Sequence, residues 1–122
     1  MFDFATIFLY HRNMIVNEHF LEMYVLMCRT ITKPDRLKII EAIGENKLNV
    51  TALQKQLNIS MSNLSNHLND LYRAGILARE KQGNFVFYYL VEPKLIDAVV
   101  QMQEIFKSIS SRRDSTRFNT SA

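Results

Sequence analysis

The chain has 122 residues, 48% apolar and 22% charged, a balance that excludes a disordered polymer and bounds the fold to one domain with a modest core. With three Gly and two Pro it favours a mainly helical architecture. Its formal charge of +3 excludes attraction of polyanions by a global field. Two of those three charges come from the polar end, where Arg112, Arg113 and Arg117 accompany one acid, Asp114, so any nucleic-acid contact must rest on local clusters.

Residues 1–17 read as an N-terminal extension. Phe4, Ile7 and Phe8 suit a short helix behind Asp3 as N-cap, and Met14 is an alternative start that would make the first thirteen residues dispensable. Phe2, Phe4, Phe8 and Tyr10 read as packing surface that thickens an interface. The opening "MFDFATIFLYHRN" has no basic lead and no small-residue cleavage site, and it is too short to span a bilayer. Cys28 has no cysteine to pair with inside the chain, which points to a reducing, cytoplasmic setting; the four Asn-X-Ser/Thr tripeptides are then chance.

From Glu18 to Thr30, "EHFLEMYVLMCRT" is apolar around most of its circumference and predicts a helix buried on more than one side, with a partner subunit as its natural cover. "TKPDRLKIIEAIGENK" follows, with Pro34 in the first turn, Asp35 at the positive end of the dipole, a Leu37/Ile40/Ile43 face and Gly44 as the stop. In "NVTALQKQLNIS", Asn49 is the N-cap, Val50, Leu53 and Leu57 form the buried face, and Asn58 ends the helix in the left-handed conformation. Ser60 then caps the next helix, completing a helix-turn-helix.

The stretch "NISMSNLSNHLNDLYRAG" places Leu64, Leu68, Leu71 and Tyr72 on one stripe about 100° wide, with Ser62, Asn66, Asn69 and Arg73 opposite. A merely solvated face normally carries Glu, Lys and Gln. Short Ser and Asn groups permit close approach instead, and Asn pairs with adenine while Ser serves either kind of base edge in the major groove. Met61, ahead of the first turn, is suited to a thymine methyl or the sugar backbone.

"ILAREKQGNFVFYYLV" predicts a two-stranded wing around Gln82-Gly83-Asn84, whose Gly and Asn both tolerate positive φ, with Arg79 and Lys81 near its tip. Glu80 reads as an ordinary soluble charge of the hairpin. Glu92 and Pro93 open a last helix bearing Leu95, Val99, Met102, Ile105 and Phe106, which fades into "SISSRRDSTRFNTSA". The domain is set at 18–110 and residues 111–122 are read as a flexible polar tail.

The chain resembles the ArsR/SmtB winged-helix transcriptional regulators over about Phe20 to Phe106, through "ITKPDRLKIIEAI", "LNVTALQKQLNISMSNLSNHLNDLYRAGIL" and "REKQGNFVFYYL" in that order. The resemblance implies about five helices with a two-stranded wing, in a homodimer built through the first and last helices. Leu21, Tyr24, Val25, Cys28, Leu95, Val99, Met102, Ile105 and Phe106 then form the dimer face. It also implies base contacts from Met61, Ser62, Asn63, Ser65 and Asn66 and wing contacts from Arg79 through Asn84. With Ser60, Asn69 and Arg73 on the helix and Lys81 and Gln82 on the wing, these make the candidate DNA-binding set. The partners expected are palindromic double-stranded DNA and a second copy of the chain.

Two metal sites known in that family have no counterpart. "LNVTAL" has Asn49 and Thr51 where thiolates would be needed, and the positions matching the last-helix site are Glu92, Lys94, Ile105 and Ser108. His19 and Glu22, three apart, read as a surface pair rather than half of a ligand set with Cys28 and His11. Cys28 reads as a small buried hydrophobe, and His67 as packed or hydrogen-bonded beside the core stripe rather than as a switch. No metal or cofactor is expected. Two readings stay open beside a DNA-binding repressor: release by a small organic ligand or by Cys28 oxidation, and a winged helix used for protein interaction, favoured by the near-neutral body. An enzyme is not expected, for want of a phosphate-cradling Gly loop, a ligand cluster or a nucleophile beside a base.

Overall fold

Asn17 opens the first helix described over its full length in the computed structural model, which describes Ala5 and residues 17–120, with side chains through residue 116. Ala5 is helical; the rest of the expected helix around Phe4 to Phe8, the alternative start at Met14 and His11 lie outside those residues. Asn17 Oδ1 accepts from the Phe20 amide at 3.1 Å and starts α1, Glu18–Ile31. Lys33 and Pro34 begin α2, Pro34–Ile43, which stops at Gly44, where φ is 56° and ψ −130°, a region that excludes side chains. Leu48–Asn49 form β1, and Asn49 Oδ1 accepts from the Ala52 amide at 2.9 Å to start α3, Val50–Leu57. Asn58, at φ 52° and ψ 41°, ends α3 in the left-handed conformation.

Met61–Arg73 is α4, and Leu77–Gln82 and Phe85–Leu90 are β2 and β3. The hairpin pairs Leu77 with Leu90 through Gln82 with Phe85, leaving Gly83 and Asn84 as a two-residue turn. Gly83 has φ 62°, whereas Asn84 keeps an ordinary negative φ, so the positive-φ position is confined to the first turn residue, as in a type II′ hairpin. The sheet has three strands rather than the expected two: β1 pairs antiparallel with β3, Leu48 opposite Tyr88 and Asn49 opposite Phe87, in the order β1-β3-β2.

The core is contiguous: Ile39, Ile40 and Ile43 of α2, Leu53 of α3, Ile59 of the turn, Leu64, Leu68 and Leu71 of α4, and Ile76, Leu77 and Leu90 at the base of the wing. Burying one such side chain stabilises by about 1.5–3 kcal/mol. Ile39 takes the central place expected of Leu37, which is only half-buried. Arg36, unmarked by any pattern in the sequence, is also buried, at 5% exposure.

After a turn in which the Glu92 and Pro93 carbonyls accept from the Leu95 and Ile96 amides, α5 runs from Leu95 to Thr120. It continues through the segment expected to be a flexible tail. No Gly or Pro interrupts it, and Ser115 and Thr116 return their hydroxyls to the Ser111 and Arg112 carbonyls at 3.1 and 2.9 Å. Leu95 and Ile96 pack on the core, while Met102, Ile105, Phe106 and Ile109 stand exposed, Phe106 at 60%. On α1, Met23, Tyr24, Val25 and Leu26 are exposed as well. No described helix is long and apolar enough to cross a membrane.

Candidate nucleic-acid interface

Ser60 stands extended before α4, and its Oγ accepts from the Asn63 amide at 3.3 Å. That cap turns the amides of the first helical turn outward, where anions are favoured. At about 100° per residue, Leu64, Leu68 and Leu71 point into the core, which directs Ser62, Asn66, Asn69 and Arg73 away from it. Ser60, Met61, Ser62, Asn63, Ser65, Asn66, Asn69 and Arg73 are all exposed, Met61 at 44%. The face expected to read a groove is thus open, with short polar groups in its first turns and Arg73 at its far end.

Tyr72 departs from the expected stripe. It is 37% exposed, and the Arg79 guanidinium carbon lies 4.0 Å from the centroid of its ring. The reason lies in the hairpin: residues 77, 79 and 81 alternate onto the face that turns toward α4, so Leu77 enters the core and Arg79, one step further out, meets the helix flank. Arg79 is therefore held by an aromatic face, with its outer edge available to a phosphate.

The opposite face of β2 is held too. Lys47, just before β1, donates to Glu80 Oε2 at 2.6 Å and lies 4.8 Å from the centroid of the Tyr89 ring. The Glu80 carboxyl is held below the usual carboxylate range by the Lys47 hydrogen bond and charge, and the Lys47 ammonium is correspondingly raised. Glu80 is thus an anchor as well as a soluble charge. Beyond this root, Lys81, Gln82 and Asn84 are exposed around Gly83 at the wing tip.

On the other flank of α4, Arg36 reaches three groups. Its Nε donates to His67 Nδ1 at 3.2 Å, its Nη1 to the Thr30 carbonyl at 2.9 Å, and its Nη2 to the Asp70 carboxylate. The other nitrogen of His67 lies 3.6 Å from Asp35 Oδ2. His67 is thus hydrogen-bonded beside the core stripe, as its position led one to expect. Arg36, Tyr72 and Lys47 are the residues that sequence reasoning missed. Each is defined by partners remote in the chain, and no local pattern marks them.

Of the residues expected on the dimer face, Tyr24, Val25, Met102, Ile105 and Phe106 are exposed, and Leu21, Cys28 and Val99 are half-buried. Cys28, expected to be a small buried hydrophobe, is half-buried within one protomer. Leu95 packs against the protomer's own core, because the first turn of α5 docks there before the helix leaves the domain. Among the described residues, no three His, Cys, Asp or Glu side chains gather closely enough to hold a metal ion.

Residues 33–79 match the model of the family described as "Bacterial regulatory protein, arsR family". An HTH-type transcriptional regulator of Methanocaldococcus jannaschii is 32% identical over 73 residues, covering 59% of this chain and 82% of that protein. The crystal structure of Rv0081 from Mycobacterium tuberculosis superimposes with a TM-score of 0.69 at 26% identity, covering 80% of this chain and 98% of that one. The transcriptional repressor BigR from Xylella fastidiosa gives a TM-score of 0.65 at 25% identity, covering 79% of this chain and 95% of its own.

Proposed function

This chain belongs to the arsR family of bacterial regulatory proteins and is a winged helix-turn-helix transcriptional regulator, and from that premise we infer that it acts as a homodimeric repressor that reads a palindromic operator. In this reading α4 enters the major groove with Met61, Ser62, Asn63, Ser65 and Asn66 toward base edges. Ser60, Asn69 and Arg73 flank them toward the backbone. Arg79, Lys81, Gln82 and Asn84 bring the wing to the neighbouring minor groove or its phosphates.

The observation that carries the reading is the composition of the exposed face of α4: Ser and Asn on a helix held by three core leucines, with a capped N-terminus and no acidic residue in its first turn. Support for the dimer comes from the large apolar side chains that α1 and α5 leave exposed, among them Tyr24, Leu26, Ile105 and Phe106. The repressor direction is drawn from BigR, which is named a repressor. Selection of bound fragments from a genomic DNA pool tests the reading. It predicts an enriched two-fold symmetric site, bound with an affinity that falls steeply with salt. Recovery of no sequence preference at low salt rejects it.

A further inference from the structure

The flank of α4 opposite the wing is held by a buried cation. Arg36 is 5% exposed and uses all three of its guanidinium nitrogens, each on a different group. Nη1 satisfies the carbonyl of Thr30, in the last turn of α1, where helical carbonyls have no partner of their own and a positive charge is favoured by the dipole. Nε and Nη2 take His67 and Asp70, which lie three apart on α4 and share one side of it. His67 Nδ1 accepts from Arg36, and the other ring nitrogen lies 3.6 Å from Asp35 Oδ2. One side chain of α2 thus joins the end of α1 to the middle of α4.

We propose that Arg36 is a positioning residue that fixes the rotation and tilt of α4 relative to α1, and with it the half-site spacing that the protein accepts. The proposal rests on the DNA-binding reading above for its second half and on the contacts alone for its first. If α1 belongs to the dimer interface, its direction sets where the partner stands, and the direction of α4 sets where the reading face points. Arg36 is a polar link between the two. A planar fork of five donors holds three partners in set directions, which the point charge of lysine does not do.

The experiment compares wild type, Arg36→Lys and Asp70→Ala by amide hydrogen exchange and by binding to the selected operator, with and without two base pairs inserted between its half-sites. The insertion moves one half-site by about 7 Å and turns it by about 70°. In wild type it is expected to cost at least about tenfold in affinity, and in Arg36→Lys less than about threefold. Exchange in Arg36→Lys is expected to rise about tenfold or more in α4 and in the last turn of α1, while Glu80 and Phe87, a hydrogen-bonded pair of the wing, stay protected.

Asp70→Ala, at a side chain 47% exposed, removes one arm without opening the core and shows the same pattern in weaker form; it carries the test alone if Arg36→Lys does not fold. Acceleration spread evenly over α2, α4 and the wing would overturn the proposal, since that is the behaviour of a residue that only supports the core. Unchanged exchange in folded variants overturns it as well. Loosened exchange with an undiminished insertion penalty overturns the spacing role. The selective exchange pattern in a protein whose wild type prefers no DNA sequence upholds the coupling and rejects the DNA reading.

Discussion

Arg79 on β2 lays its guanidinium 4.0 Å from the centre of the Tyr72 ring on α4, so the root of the wing and the C-terminal turn of the reading helix are held in contact. A stacked cation at an exposed site contributes about 0.5–1 kcal/mol. Tyr72→Leu is therefore expected to lower stability by under about 1 kcal/mol in urea denaturation while weakening DNA binding more than stability, because Arg79 loses its rest position. Equal binding by Tyr72→Leu and wild type would show that the stacked geometry has no part in recognition.

Ser65 and Asn66 take no part in the core, so their joint replacement by Ala leaves the fold in place. Discrimination against altered operators is expected to fall by about 1–3 kcal/mol for each base edge that is no longer read. Lys81→Ala, in contrast, is expected to weaken all sequences alike and to reduce the slope of log affinity against log salt by about one. Fluorescence anisotropy titrations over a salt series separate the two behaviours.

Phe106, 60% exposed on α5, is distant from the core, and Phe106→Glu is expected to give a folded monomer in sedimentation velocity, with circular dichroism unchanged. Persistence of a dimer would move the subunit interface elsewhere.

The Lys47–Glu80 pair sets a pH window at the wing root. Glu80 is held below its usual range, so its contribution is present above the ordinary carboxylate pKa and is lost as pH falls through the depressed one. Lys47 is raised, so its contribution is complete below the ordinary lysine pKa and is lost as pH rises through the raised one. Carbon-detected NMR titration is expected to find the Glu80 carboxyl returning toward the ordinary value in Lys47→Met. A Glu80 titration that does not move between the two proteins refutes the pairing.

The parts of this fold that are legible in the sequence are those defined by neighbours in the chain. Asn49, Ser60, Asn58 and Gly44 start and stop their helices as their side chains or lack of one dictate, and the Leu64/Leu68/Leu71 stripe is visible in its spacing. Tyr72 leaves the expected stripe because it sits at its margin, where only the position of β2 decides between core and solvent. Arg36 resembles a surface residue in the sequence because its three partners come from α1 and α4. β1 has two residues, too few for any alternation to register. The helical extent of 111–120 is hidden by serines, which in isolation favour turns but here follow an unbroken helix.

Asn49 belongs to two halves of the molecule at once: its backbone registers against Phe87 in the sheet, and its side chain caps α3. To make that pairing the chain must close a loop that contains α3, α4 and β2, and loop closure costs entropy before the pairing returns any stability. Helices are thus expected to gather first and β1 to join β3 last, which pulse-labelled exchange during refolding checks directly. In reverse, peeling of the wing that begins at Gly83 meets resistance at Asn49, where opening one more pair also unfastens a helix. Through that one residue, sheet and helix are expected to be lost together rather than in turn.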